Sequence, residues 1–574
     1  MLNRRRKTAF CASRAGVNAT MPAGGYDVMA ALSNSKGASM NSRLTNQHPA
    51  TTLTRRDMLR RLAAGGALVC GQGQGHGHGL LAAAAQATAM TSEAAPRRGG
   101  TLTIATQSSS TADTLDPARG ALSTDYVRAH MFYSGLTTLD AHLAPQMALA
   151  EEMLTDDAIT WTVRLRKGVT FHDGKALKAA DVVYSLNRHN DPAVGSKVRG
   201  VTQQIASVRE TGPLTVEITL TGANADLPVI LATSHFVVVQ DGARNFNTAN
   251  GTGAFRCKEF TPGVRTLAVR NPNYWKPGLP YLDEVALFGI PDESARINAL
   301  LSGDVDWVNE VNPRSTKRIK AEPEYALLES QSGLYTDLVI RQNLGFGRHP
   351  DFTLGMKYLI DREQMKRAAF RGYAVIGNDQ PLAPGSRFYF PGLPQRPYDP
   401  DRARFHLGRA GALGHTLPLV ASVAAAGSVD MAMLMQQSAM KAGLKLTVKR
   451  VSADGYWSNH WMKSPMGFGN VNARPSADML FTQFFKSDAP WNESGWNNPQ
   501  FDQLLLLARA ETDEDRRRKY YADMQVLVHE KCGIGLPLFI NNLEAISTRV
   551  AGATPHPLGA FMGYTAPEHV WLKA

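Results

Sequence analysis

Several groups of residues in this 574-residue chain have side chains and spacings suited to chemistry. Asn470, Asn472 and Arg474 set two amides and a guanidinium close together. A guanidinium offers a planar fork to a carboxylate or phosphate; an intramolecular salt bridge is the other use of Arg474. Trp457, Trp461, Trp491 and Trp496 are half of the chain's 8 Trp. Aromatic faces suit sugar rings, planar groups or peptide side chains, and core packing accounts for any one of them equally well. His172, in Phe171-His-Asp-Gly174, is a candidate base or ligand, although a tight surface turn ending in glycine explains the same tetrapeptide. Asp304 and Asp306 are candidate paired carboxylates; the competing reading is a turn feeding a strand.

Catalytic signatures are missing. The chain has no G-x-S-x-G elbow, H-E-x-x-H, P-loop or G-x-G-x-x-G. The pair Ser33 and Lys36 and the tract His76, His78 fall in the first ninety residues, which read as a discarded leader. The 4 Cys form no C-x-x-C pair. The expectation is a protein without a catalytic set, cofactor or metal centre.

A formal charge of +12 invites a polyanion-binding reading. Residues 1–89, however, hold eleven Lys/Arg against Asp27 and Asp57, which leaves 51 basic and 48 acidic residues, a net of +3, in 90–574. The basic excess belongs to the N-terminus, and no nucleic-acid partner is expected. There, Arg55 and Arg56 precede a weakly apolar Gly/Ala-rich stretch, the layout of a twin-arginine export signal. Small-x-small sites near residues 87–90 suit cleavage. Translation from Met40 would give this signal a more usual length. Exported, the chain would keep Cys257 and Cys532 in an oxidising compartment, where they can pair. The longest later apolar stretch, 227–239, reads as a buried element rather than a membrane span.

The elements that must position these residues show in the periodicity. Residues 101–105 open as a strand, and Trp161, Val163 and Leu165 alternate with polar neighbours, as do Val216, Ile218 and Leu220. Residues 179–188 read as a helix between them. Further on, a strand at 415–422, a helix at 429–442 stopped by Gly443, and a strand at 444–451 make a βαβ unit, hence a parallel sheet. Another helix is expected at 516–529, and the charge cluster 511–518 reads as its solvated start. Two α/β lobes follow, with no internal repeat.

Ordered motifs then carry a resemblance. Gly99-Gly-Thr-Leu-Thr103 with Leu115-Asp-Pro117 resembles the mature start of the bacterial extracellular solute-binding proteins of family 5, periplasmic receptors of ABC importers for peptides, nickel and related solutes. The stretch from Trp161 to Gly174, then Ala180 to Arg188, is similar to the family's most characteristic region. Gly251-Thr-Gly-Ala-Phe255, Arg270-Asn-Pro-Asn-Tyr-Trp275, Ala299-Leu-Leu-Ser-Gly-Asp304, Asp361-Arg-Glu363 and Tyr398-Asp-Pro400 follow in the family's order.

The resemblance implies an α/β, two-lobed periplasmic binding protein of the large type II-like form, closing on a solute about a hinge. Lobe I would span 98–335 with an accessory subdomain at about 145–250, lobe II 336–535, and 536–574 would return to lobe I. The first lobe is expected to reach the ligand through Ser108, Ser109, Ser110, Thr124, Tyr126, Asn250, Gly251 and Thr252. The second is expected to use Trp457, Trp461, Asn470, Asn472, Ala473, Arg474, Trp491 and Asn492. Peptide-binding relatives hold the ligand's α-ammonium with an Asp seven residues before a Phe pair; aligned on Phe481, that position is Ala473. A buried ammonium without a carboxylate is costly, so the expected cargo is a peptide-like or acidic amino-acid-derived solute. A metallophore or nickel chelate and an oligosaccharide are the alternatives, and an exported hydrolase is the rival of another class. The implied partners are the solute, an ABC permease with its ATPase, and the twin-arginine export machinery; the expected state is a monomer.

Overall fold

A computed structural model describes residues 95–573. The leader, with Arg55, Arg56 and Met40, lies outside the described residues.

Lobe I is built on a seven-stranded sheet in the order Tyr325–Ser330, Asn542–Ser547, Trp307–Val308, Thr101–Thr106, Glu284–Gly289, Arg265–Arg270, Phe255–Thr261. Thr101–Thr106 lies at its centre, parallel to both neighbours. Its buried Leu102 and Ile104 seat this strand in the lobe I core. The accessory part is a separate four-stranded antiparallel sheet, Ala150–Leu154, Thr160–Leu165, Thr215–Leu220, Ile205–Gly212. The helix Ala179–Asn187 packs on it. The alternation seen in the sequence is the core face: Trp161, Val163, Leu165, Val216, Ile218 and Leu220 are all buried there.

Lobe II contains the expected βαβ unit. Thr416–Ala421 and Lys445–Arg450 pair in parallel around the helix Ser428–Lys441, and Gly443 follows that helix at φ +80°. A three-helix group, Ala477–Phe484, Pro499–Ala510 and Glu514–Lys531, builds a second core around Phe481, Phe501 and Tyr521.

The chain crosses between lobes twice. The first crossing joins Tyr325–Ser330 of lobe I to Leu338–Ile340 of lobe II; the second joins Leu538–Ile540 to Asn542–Ser547. The two connections are tied side by side. Ser332 Oγ donates to the Ile540 carbonyl at 2.9 Å, and Ile540 N donates to the Leu334 carbonyl at 2.7 Å. Two adjacent strands between independently packed bodies form a hinge.

Two expectations need correction, and the open question of the thiols is answered. Residues 227–239 are buried but are not one element: two short helical turns, Leu227–Ile230 and Ser234–Phe236, are joined by loop. Cys257 sits on a lobe I strand and Cys532 in the lobe II core, and both are free thiols. The charged start of the last long helix is not wholly solvated, because Arg517 is 3% exposed and paired with Asp226 of the accessory subdomain.

Candidate functional site

A cavity of about 1690 Å³ lies between the lobes, bounded on one side by the hinge residues Ser332, Leu334, Ile540 and Asn541. This exceeds the volume of an ordinary small-molecule site.

Lobe I presents an aromatic and imidazole wall. Tyr126, on the helix Ser123–Phe132, stands 5.3 Å from the Tyr564 ring and 5.5 Å from His235. His130, one turn on, contacts Ser234 Oγ through Nε2 at 3.0 Å, and burial pushes it down to about 4. His235 and His556, also lowered by burial, join the same wall. These imidazoles are neutral near pH 7 and able to donate or accept.

The wall continues into a strained segment. Phe561 and Met562, between Gly559 and Gly563, and Tyr564, just after them, all lie at positive φ. Such a run persists only when its surroundings hold it. Here Glu544 Oε1 accepts from Phe561 N at 2.8 Å and from Trp307 Nε1 at 2.9 Å. Burial raises Glu544 to about 8, so it is mostly protonated at neutral pH.

Lobe II contributes the turn before helix Ser428–Lys441, the segment 368–371, and the loop 472–475. Arg474 is held from two sides: Nε donates to Gln483 Oε1 at 2.7 Å and Nη1 to the Asn472 carbonyl at 3.0 Å. Its guanidinium also lies over the Phe484 ring at 5.4 Å. Burial lowers its pKa, and it makes no ion pair among the described residues. The intramolecular salt bridge weighed from sequence is therefore not formed.

Charge around the cavity is unbalanced. Lys197, Arg296, Arg314, Arg371, Arg450 and Arg474 line it, against Glu293, Glu310, Asp430 and Glu544. No ion pair among the described residues neutralises any of these six cations. A low-dielectric cleft with surplus cations favours anionic occupants.

Of the residues singled out in the sequence, the structure brings Tyr126, Asn472, Ala473, Arg474 and Trp491 to this cavity. The others serve packing elsewhere. Ser108 Oγ accepts from Ser123 N, Ser109 donates to Asp113, and Ser110 borders Gly263. Thr124 is fully buried beside Asp113. Asn250 binds Asp173 N and Gln240, while Gly251 and buried Thr252 sit against the end of helix Ser123–Phe132. Asn470 is spent on the Tyr335 carbonyl and Thr336, and Asn492 on the Lys486, Ser487 and Trp496 carbonyls. Trp457 and Trp461 pack edge to face at 5.7 Å, with Trp461 Nε1 donating to Glu493, and Trp496 belongs to a core.

His172 lies in the expected turn, with Gly174 N donating to the Phe171 carbonyl at 2.9 Å. Asp306 pairs with Arg549 and caps Thr103 N, a structural use. The sequence reading missed His130, His235, His556, Glu544 and Tyr564. Their signal was faint: the Gly559/Gly563 bracket around an aromatic hints at special backbone, but lone histidines on helices and loops carry no spacing to read.

The sequence profile of the bacterial extracellular solute-binding proteins, family 5 middle, matches residues 143–493. Glutathione-binding protein GsiB of Pectobacterium atrosepticum is 27% identical over 435 residues, 72% of this chain and 84% of that protein. Among solved structures, HbpA2 from Haemophilus parasuis superposes with TM-score 0.74 at 21% identity, covering 83% of this chain and 100% of that one. The binding protein AgaA of A. tumefaciens R10, in complex with agropinic acid, gives 0.67 at 24% identity, over 83% and 99%. The profile spans more than half of the residues and runs through both lobes and the cleft between them, so this chain belongs to the bacterial extracellular solute-binding proteins of family 5.

Proposed function

We propose that this chain is the substrate-binding protein of an ABC importer whose cargo is a peptide-like or amino-acid-derived solute carrying a carboxylate and lacking a free α-ammonium. The observation that carries the ligand class is Arg474, a half-buried guanidinium at the cavity wall that is pinned by neutral partners and paired with no carboxylate. Ala473 beside it offers no counter-ion for an ammonium. The surplus of cavity cations points the same way, and so does the agropinic acid bound by AgaA. The glutathione of the GsiB relatives is a peptide-like solute with carboxylates, which fits the anionic half of this reading; its γ-glutamyl α-ammonium does not fit the other half.

On this reading the two lobes close over the solute and hand it to a permease and its ATPase. Closure removes water and strengthens each polar contact, and a ligand shifts the open–closed balance only by its differential affinity. The protein works as a monomer in the periplasm, reached by the twin-arginine route, and has no catalytic role. Among the described residues no helix is long and apolar enough to cross a membrane.

A second reading, a metal chelate, is favoured by the neutral imidazoles of His130, His235 and His556 on the lobe I wall. Thermal unfolding with matched ligands separates the two. A ligand selective for the native state raises the melting temperature as its concentration passes Kd. N-acylated or carboxyalkylated amino acids and short peptides should stabilise the protein, and their free-amine counterparts should not. Stabilisation by nickel–histidine chelates alone would transfer the site to the imidazole wall, and turnover of an ester or peptide panel would overturn the binding-protein reading.

A further inference from the structure

Beyond the crossings and the Lys320–Tyr373 contact, the lobes meet among the described residues at a seam where Met479 packs on the accessory core and an ion pair spans the gap. Loop 224–226 of the accessory subdomain reaches lobe II at the seam between helices Pro499–Ala510 and Glu514–Lys531. Ala225 N donates to the Arg509 carbonyl at 2.8 Å. Arg517 Nη2 donates to Asp226 Oδ1 at 2.6 Å, with side chains 3% and 1% exposed.

Each half of the contact is prepared within its own lobe. On the lobe I side, Asn224 N donates to the Ala158 carbonyl, its amide donates to Gln204, and Asp226 N donates to Asn224 Oδ1 at 2.9 Å. On the lobe II side, Arg517 Nε donates to the Ala508 carbonyl at 3.0 Å and its guanidinium lies over Phe388. Arg509 is braced by Asp478 at 2.9 Å and by Thr482. Arg474 lies beside the seam: it lines the main cavity and also a small pocket that it shares with Asp226, Phe388 and Ala477.

We propose that the Asp226–Arg517 pair is a latch that holds the lobes together at the Arg474 end of the cleft, so that this end is closed whenever the pair is made. The proposal rests on the two-lobed binding reading but on no particular cargo. Its physics lies in the difference between the two states. With the lobes apart, both charges return to water; with the lobes together, both are desolvated and repaid by each other. The two terms come close to cancelling, and Asp226 Oδ2 is left without a partner. The pair by itself therefore does not lock the closed form; the Ala225–Arg509 hydrogen bond and Met479, packed on the accessory core, add the bias that keeps this end shut without ligand. Neutralising one partner has a one-sided effect. It strands a buried charge in the closed form and leaves the open form untouched.

Hydrogen exchange on the purified full-length protein, without added ligand, tests this directly, because the Ala225 amide is itself part of the seam. Wild-type Ala225 should be protected. Asp226→Asn should speed exchange at 224–227 and at the Arg509 and Arg517 segments by roughly tenfold, with the sheet cores of both lobes unchanged. Arg517→Lys, which keeps the charge, should retain part of the protection. An unprotected Ala225 amide in the wild type would overturn the latch. So would identical exchange in Asp226→Asn, or acceleration spread evenly through both lobes, which would make Asp226 a residue of general stability. None of these outcomes bears on which solute fills the cavity.

Discussion

Arg474 and Ala473 divide the ligand question between them. If Arg474 grips a carboxylate, Arg474→Ala removes a charge-assisted hydrogen bond worth about 1.5–3 kcal/mol. Affinity for an acylated acidic ligand, measured calorimetrically, should fall by roughly ten- to 150-fold, and Arg474→Lys should recover only part of it because a lysine offers no fork. Ala473→Asp should do the reverse for free-amine peptides. The position abuts the first crossing, where a Cβ on Gly333 would stand 3.5 Å from the Ala473 Cβ, and Ala473 itself lines the cavity. A carboxylate there would meet an ammonium, so titration with a free-amine tripeptide should show binding that the wild type lacks.

A second residue-scale prediction concerns Asp337 and Glu493, buried together below the 469–474 loop. Burial lifts Asp337 to about 6, and burial and the Asp337 charge hold Glu493 well above the ordinary carboxylate range. Both folded-state values exceed the unfolded ones, so the native state binds more protons. Stability from this pair is complete at low pH and is lost as pH rises through 6 and beyond. Urea unfolding at about pH 5 and about pH 8 should show the decline, and Glu493→Gln, which removes one of the two titrating groups and its charge beside Asp337, should flatten it.

At the scale of elements, the legible part of the sequence was whatever repeats. Trp161, Val163 and Leu165 declared a strand because every second side chain is buried; the helix between two parallel strands and Gly443 declared the βαβ unit. Contacts between elements were not legible. Arg517 reads as one more charge in a polar helix start, because its partner Asp226 lies 291 residues away. The imidazole wall is hidden in the same way, assembled from a helix, a short helical turn and the C-terminal segment. The 251–253 loop shows the converse, a motif legible as conspicuous but not for its use. Its glycines fit the close approach of backbone to backbone: a Cβ on Gly251 or Gly253 would run into the Phe132 or Met131 carbonyl. Gly253→Ala should therefore cost about 1–3 kcal/mol of stability in denaturant unfolding, while leaving affinity for the cleft ligand unchanged; a loss of affinity at constant stability would return this loop to the binding surface.

For the whole molecule, the decisive feature is how little apolar packing joins the lobes. The buried members of each core cluster come from a single lobe: 102–287, 307 and 546–570 around the central sheet, 136–238 in the accessory part, 338–538 and 335–539 in lobe II. Met479, packed on the accessory core, and Tyr373, packed on the edge of lobe I, are the partly buried side chains that reach across. Two crossings and a charged seam transmit little cooperativity, because an ion pair near break-even adds little net stability to the closed form. Without ligand, calorimetry should thus show a transition broader than two-state, with the calorimetric enthalpy exceeding the van't Hoff value. A ligand bridging both walls binds only when both lobes are folded, so it couples their unfolding. Saturating ligand should raise the midpoint and also narrow the transition until the two enthalpies agree. A ligand that raised the midpoint without narrowing the transition would be bound by one lobe alone, and the cleft would then not be where the solute is held.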